Sequence, residues 1–493
     1  MSNSRIVTVS SAAQLSSALK VATSGETILL STGNYGALNF SGMKFTGAGV
    51  TIAAASSTAD AVITSMHISN SSGITLSGLD LNGASSTQPW AFQIGNSSDI
   101  TLTGLKVHAT TKISGLMLQN NTNVSISNST FSNLADAIAD MNNNGVSISN
   151  NHFSNIGGDG IDNGGTSNVS ISNNTFTDFL GGTATQHPDA IQFWTTNTTQ
   201  SASNITVSNN TISVGSGAQI QGILISDQVG NLPYHNVTIT GNTITGEMYD
   251  GILVQDAQNV VANNNIVTGL SHSGLTLAAT STYATSSTSW IVMKDVAGLS
   301  MAGNDSSAYV LTDNTGVNLG VNSVDGVAQQ KIVYSDATAV LSILQNTLVL
   351  TGNKAINGSA TTGGQTIDAN SGGDRLYDNP TTGNDTLNGG SGNDWIVSRG
   401  VNDTLSGGGG NNTFQVEPAT KNSGTTTITD FLHTGSHNAL DLNVFLADGM
   451  HPTLTNSGAN TIVSFSGTAE TIMLLGVHTS DLTSTATGFA SHI

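Results

Sequence analysis

Asp136, Asp159, Asp189 and Asp250 each stand directly before a small residue and then an isoleucine, in strings such as Asp159-Gly160-Ile161 and Asp189-Ala190-Ile191. Trp90, Ser114, Gln221 and Ser273 hold the same place in four further copies, so the aspartates belong to one column of eight positions. Carboxylates stacked on successive turns repel one another; either a cation neutralises them or one keeps its proton near neutrality. A protonated carboxyl beside an ionised one is the pair that cleavage of a glycosidic bond requires. The acid and base pair is therefore expected at Asp159 and Asp189, with Asp162 or Asp136 assisting and His187 as a further catalytic candidate. Trp194, Gln192, Asp140, Asp227, Tyr249 and Asp250 form the expected substrate-binding set. An indole offers a flat apolar platform to a sugar ring, while amides and carboxylates take its hydroxyls. The competing reading makes these aspartates turn closers bonded to their own backbone, and Trp194 a loop packing residue.

The elements that must position this column are legible as a repeat. Phrases such as Asn123-Val-Ser-Ile-Ser, Asn168-Val-Ser-Ile-Ser and Asn236-Val-Thr-Ile-Thr recur, and their first apolar residues are Ile74, Ile100, Val124, Val146, Val169, Ile205, Val237 and Val260. Apolar and small polar residues alternate within each phrase, the period of a strand with one buried face. A coil of two or three such strands cannot bury its apolar side alone, but stacked on its neighbours it forms a continuous interior. The expected fold is all-β: a right-handed parallel β-helix over residues 1–305, an irregular bridge over 306–360, and a calcium-binding parallel β-roll from 361 to 493. Phe131, Phe153, Phe176, Ile212, Ile244 and Ile266 should form an inward stack. Asn128, Asn150, Asn173, Asn209 and Asn263 should form a turn ladder, because Asn tolerates the left-handed backbone. Leu15, Ala18, Leu19 and Ala22 fall on one face of a helix over 11–22, which should cap the open end of the solenoid.

Near the C-terminus the chain divides into nonapeptides, among them Gly389-Gly-Ser-Gly-Asn-Asp-Trp-Ile-Val, which place Asp385, Asp394, Asp403 and Asn412 nine residues apart. Glycine turns that expose carbonyls, a phased carboxylate and a phased apolar plug are the chemistry of a calcium roll, so calcium is expected on Asp385, Asp394 and Asp403. A flexible Gly-rich linker would lack that phasing. The segment from Thr381 onward resembles the RTX tails of proteins exported by type I secretion, including Ile428-Thr-Asp-Phe and Leu475-Gly-Val-His-Thr-Ser-Asp-Leu. That resemblance implies an extracellular protein, a type I secretion machinery as partner, and folding that waits for external calcium.

Composition narrows the partners. There are 11 Lys and Arg against 31 Asp and Glu, a formal charge of −20, so a phosphate backbone is repelled and nucleic acid is not expected. Cysteine is absent, which removes disulfides and thiolate metal sites. The first residues lack a basic stretch followed by an apolar one, and no segment reads as a bilayer span, so export through the tail and no membrane insertion are expected. A monomer is expected.

Asp159-Gly-Ile-Asp162 is similar to part of the polygalacturonase family, whose coils carry Asn-Thr-Asp-Gly-Phe-Asp and then Asp-Asp-Cys-Ile. Asp189 matches the second Asp of that pair, whereas Pro188 replaces its partner and Gln221-Gly222 stands where that family has a histidine. The whole plan of β-helix plus RTX tail resembles exopolysaccharide glycanases and alginate C5-epimerases, which implies a polysaccharide substrate. Between Lys112 and Lys294 there is no Lys or Arg. A polyuronate lyase usually needs a cation as base or carboxylate clamp, so an endo-acting hydrolase is the leading expectation. A calcium-assisted lyase or epimerase, with His187, Tyr234, His235 or Tyr249 as base, is the runner-up, and a noncatalytic glycan-binding surface protein is the third reading.

Overall fold

The computed structural model describes residues 5–181, 188–246, 250–268, 290–306, 355–360, 362–378, 383–418 and 423–492, with short stretches between 308 and 349. His187, Tyr249, the eighth column position Ser273 and the expected strand at Lys331 lie outside the described residues. The chain divides into two compact units, Met1–Val292 with Asp305–Ala308, and Met293–Asn304 with Tyr309–Ile493.

The first unit is a parallel solenoid whose typical coil has three strands, as in Trp90–Gly95, Ser98–Thr103 and Lys106–His108. Each pairs in parallel with its counterparts one coil before and after. The repeat phrases form the second face, and their first apolar residues pair in unbroken register from Ile74 through Val260. Period-two alternation drives this: Val146 and Ile148 point inward and are buried, while Ser147 and Ser149 lie on the outer side. On the third face Phe131, Phe153 and Phe176 stack with ring centroids 4.9 and 4.5 Å apart. Ile212 and Ile244 continue the stack, but Val267 takes the next place, not Ile266, which is exposed. The turn ladder likewise keeps the repeat's spacing, one residue beyond the expected Asn263. Asn128, Asn150, Asn173 and Asn209 have φ between 53° and 57°, whereas Asn263 ends a strand and Asn264 takes the turn at φ 56°.

A second ladder runs inside the coil and was not anticipated. The carboxamide oxygens of Asn151, Asn174, Asn210, Asn242 and Asn265 accept, in order, the backbone N–H of Ser129, Asn151, Asn174, Asn210 and Asn242 at 2.9–3.0 Å. Their amides donate to interior carbonyls such as Ile126 and Ile148, so polar groups at the corners of an apolar interior stay paired. The N-terminal helix is Ala12–Val21, started by Ser11 Oγ accepting from the Gln14 N–H, and it buries Leu15 and Leu19.

The second unit contains an 18-residue coil of two short parallel strands, for example Thr386–Asn388 with Trp395–Ser398, then Thr404–Ser406 with Thr413–Val416. Leu387, Ile396, Leu405, Phe414 and Ile428 plug its interior. Its two ladders reach back to Thr347–Val349 and Ala339–Val340, upstream of the expected start at 361. Leu348 fills the same inward place as Ile367 and Leu387 without any glycine phasing to announce it. An antiparallel set, Pro452–Ser457, Asn460–Phe465 and Ala469–Leu474, joins the last coil.

Candidate active site

The aspartate column lies at the start of the first-face strands, where the chain returns from the third face. Cross-coil bonds keep it in register: Gly115, Ala137, Gly160 and Gly222 donate their N–H to the carbonyls of Asp136, Asp159, Asp189 and Asp250. The side chains chain together as well. Ser114 Oγ donates to Asp136 Oδ2 at 3.0 Å, Asp136 Oδ1 accepts the Asp159 N–H at 3.1 Å, and Asp159 Oδ1 accepts the Asp189 N–H at 2.8 Å. Glycine follows Asp159 and Gln221 because a Cβ at Gly160 or Gly222 would meet a carbonyl of the next coil.

Three residues into these strands, Ala139, Asp162, Gln192 and Leu224 form the neighbouring outward column. Two further on, Trp194 lies beside Met141 above Gly164, where a side chain would meet both. Asp136, Asp159, Asp162 and Trp194 keep some exposed surface, whereas Asp189 is completely enclosed and Gln192 nearly so. Burial first, then the Asp189 charge, pushes the Asp159 carboxyl well above the usual carboxylate range, although the Asp189 N–H opposes it. Burial and the charges of Asp136, Asp189 and Asp140 raise Asp162 to about 7. The four acids Asp136, Asp159, Asp162 and Asp189 are thus electrostatically one group.

Two expected sugar ligands are corrected. Asp140 points into the coil, with no exposed surface, and its carboxyl accepts from the Asn143 amide; inward direction follows from its pairing with Leu118 and Asn163. It cannot touch a polysaccharide. Asp227 is buried and closes a loop: it accepts from Thr195 Oγ1 at 2.7 Å and from the N–H groups of Val229, Gly230 and Leu232. Burial opposes ionisation there, but those four donors outweigh it and hold the carboxyl below its usual value. Asp250 is also nearly enclosed; its Oδ2 accepts from Gln221 Nε2 at 3.3 Å, and burial raises its pKa.

In the roll, a nine-residue spacing on an 18-residue coil sends successive motif aspartates to opposite edges. Asp385 and Asp403 share one edge, and Asp403 Oδ1 accepts the Asp385 N–H at 2.9 Å. Asp394 lies on the other, where its Oδ1 accepts the Asp374 N–H at 2.8 Å. Asp378, which lies outside the nonapeptide pattern, joins the first edge: Asp378, Asp385 and Asp403 offer oxygens that all lie within 4.8 Å of one another. Burial and the neighbouring Asp403 raise Asp378 to about 8. These residues fit calcium. Asp394 Oδ2 is buried with no hydrogen-bond partner among the described residues, and Gly390, Gly408 and Gly410 have positive φ and press against carbonyls of the adjacent coil, leaving no room for a Cβ.

The description "Right handed beta helix region" matches residues 19–176, 90–291 and 198–315, together more than half of the chain. The chain belongs to the right-handed β-helix family. Residues 381–414 of this β-helix protein also match the RTX calcium-binding nonapeptide repeat, which supports calcium binding by the roll. No curated protein sequence matches it. Among solved structures, an alginate lyase from Paenibacillus sp. str. FPU-7 is 18% identical, over 64% of this chain and 99% of that one, with a TM-score of 0.42. The A-module of the Azotobacter vinelandii mannuronan C-5 epimerase AlgE6 is 16% identical over 80% and 93%, at 0.35. The Streptococcus pneumoniae surface protein and adhesin PfbA is 11% identical over 61% and 90%, at 0.38.

Proposed function

We propose that this protein is an extracellular, endo-acting polysaccharide hydrolase whose working carboxyls are Asp159 and Asp162. The supporting observation is the coupled group on the first face, in which burial and neighbouring charge raise the proton affinity of Asp159 and Asp162. Asp159 is the proton donor to the leaving oxygen. Asp189, enclosed behind it, holds that proton in place through its charge and does not meet the substrate. Asp162, near half-ionised at pH 7, is the base that activates water, with Asp136 alongside. Partly exposed Trp194 stacks on a sugar ring. Between Lys112 and Lys294 the chain carries no Lys or Arg to clamp a uronate carboxylate or act as base, which favours hydrolysis over elimination or epimerisation. Calcium, when bound by Asp378, Asp385 and Asp403 and by the Asp394 edge, supplies the positive charge that lets those carboxylates pack together. The RTX pattern supports export by type I secretion, and no helix among the described residues is long and apolar enough to cross a membrane.

Asp159→Asn and Asp162→Asn should each lower the depolymerisation rate of a susceptible polysaccharide by roughly 10² to 10⁴, read by viscosity, with no loss of thermal stability. Retention of wild-type rates by both variants would refute the assignment. Appearance of the ultraviolet absorbance of an unsaturated sugar end would instead show elimination, and failure of the wild type on every glycan it binds would leave the surface-protein reading.

A further inference from the structure

The outer sheet face of the roll carries a cluster that neither calcium nor the first-face acids use. Arg375, Trp395 and Thr413 lie opposite one another on three successive coils, with Tyr377, Val397 and Gln415 in the parallel column. Trp395 is 38% exposed, an unusual place for so large an apolar ring. The Arg375 guanidinium lies 4.8 Å from the centre of that ring and forms no ion pair among the described residues. Arg399 lies 5.2 Å over Tyr377 and 3.5 Å from Glu417. Trp395 Nε1 donates to Gln415 Oε1 at 2.9 Å, and Gln415 Nε2 donates to Glu417 Oε1 at 2.7 Å, so the side chains are held in place before any ligand arrives.

Only 11 cationic residues serve the 493-residue chain, and two of them are stacked on aromatic rings here. An exposed cation–π pair contributes little to folding, so stability gives small reason to keep this arrangement at the surface. The chemistry suits recognition: the exposed part of the Trp395 ring can meet a sugar, and the planar guanidinium fork stacked on it suits a carboxylate. Strand spacing sets its length at ~10 Å from Arg375 to Thr413. We propose that this face binds a uronate-bearing polysaccharide through Arg375, Trp395, Tyr377 and Arg399. It is a noncatalytic site, made of residues the hydrolytic group does not share. It also supplies the cations that the acidic first face lacks. Uronate segments of a polymer are held here, whether or not the first face cuts them.

The test is binding of the calcium-loaded full chain to polygalacturonate, with dextran as the neutral control, by affinity electrophoresis and calorimetry. Wild type should prefer polygalacturonate, and added salt should weaken binding. Trp395→Ala and Arg375→Gln should each weaken it by roughly tenfold or more. Arg375→Lys should also weaken it, because a point charge replaces the planar fork. Asp159→Asn should bind like wild type even if it abolishes depolymerisation, which separates this site from the hydrolytic reading. Arg375→Gln changes an exposed residue and carries the test should Trp395→Ala disturb the roll. Equal affinity for dextran, no binding to polygalacturonate, or unchanged affinity in Arg375→Gln would overturn the proposal.

Discussion

At the scale of single residues, burial decides which of many aspartates can do chemistry. Asp140 and Asp162 sit one coil apart and both have their pKa raised to about 7, mainly by burial, yet one faces the interior and the other the outside. Asp140 therefore reports on stability. The Asn143 amide and the Thr166 hydroxyl favour its ionised form, but burial outweighs both, so the carboxyl keeps its proton to a higher pH than an exposed one. Between about pH 4 and 7 the folded chain holds this proton more tightly than the unfolded chain, so stability falls as pH rises through that window and the loss is complete above it. Asp140→Asn should remove this slope. It should raise stability at pH 8 by on the order of 2 to 4 kcal/mol, measured by denaturant unfolding across pH. A variant with the wild-type slope, or less stable than wild type at pH 8, would mean that Asp140 is already ionised and well paired.

At the scale of elements, the coils depend on corner asparagines as much as on the Phe131, Phe153 and Phe176 stack. Asn174 accepts the Asn151 N–H and donates to the Ile148 carbonyl, both inside the coil. Asn174→Ala strands both groups and should cost about 2 to 4 kcal/mol, whereas Asn173→Ala in the adjacent exposed turn should cost only about 1 kcal/mol through its positive φ. Comparative thermal denaturation of the two variants checks the difference. The alternating phrases made the strands, their inward residues and the aspartate column legible in advance, because a period of two leaves one choice of buried face. The interior Asn ladder was less legible: the paired Asn-Asn at 150–151, 173–174 and 209–210 shows two candidates, and the backbone bend alone selects which enters. Asn264 and Val267 are different: they follow Val260 by four and seven residues, as Asn209 and Ile212 follow Ile205, so the repeat's own spacing states them and the expectation at Asn263 and Ile266 falls one residue short of it.

At the scale of the whole molecule, 31 acidic residues against 11 cationic ones mean that divalent cations bear on stability. Asp378, Asp385 and Asp403 enclose three carboxyls together, an arrangement that calcium favours and its removal penalises. Chelation should lower the melting temperature of the roll transition by more than about 10 °C, while the β-helix transition moves little, in calorimetry with and without excess calcium. Equal shifts of both transitions, or none, would count against calcium as the element that holds the roll.

Sequence alone determined the coil, the inward apolar columns, the stacked aspartates and the glycine-phased calcium turns. All are written as local periods, and a local period survives whatever the rest of the chain does. Tertiary structure decided which carboxyls meet solvent. Asp189 and Asp227 are read alike with Asp162 along the chain, but one is enclosed and another is consumed by a loop. It also decided that Asp385 and Asp394 part to opposite edges while Asp378 joins the first, because half a coil separates neighbouring motifs and a full coil brings alternate ones together. Distance and burial arise only when coils stack, so no single period can state them.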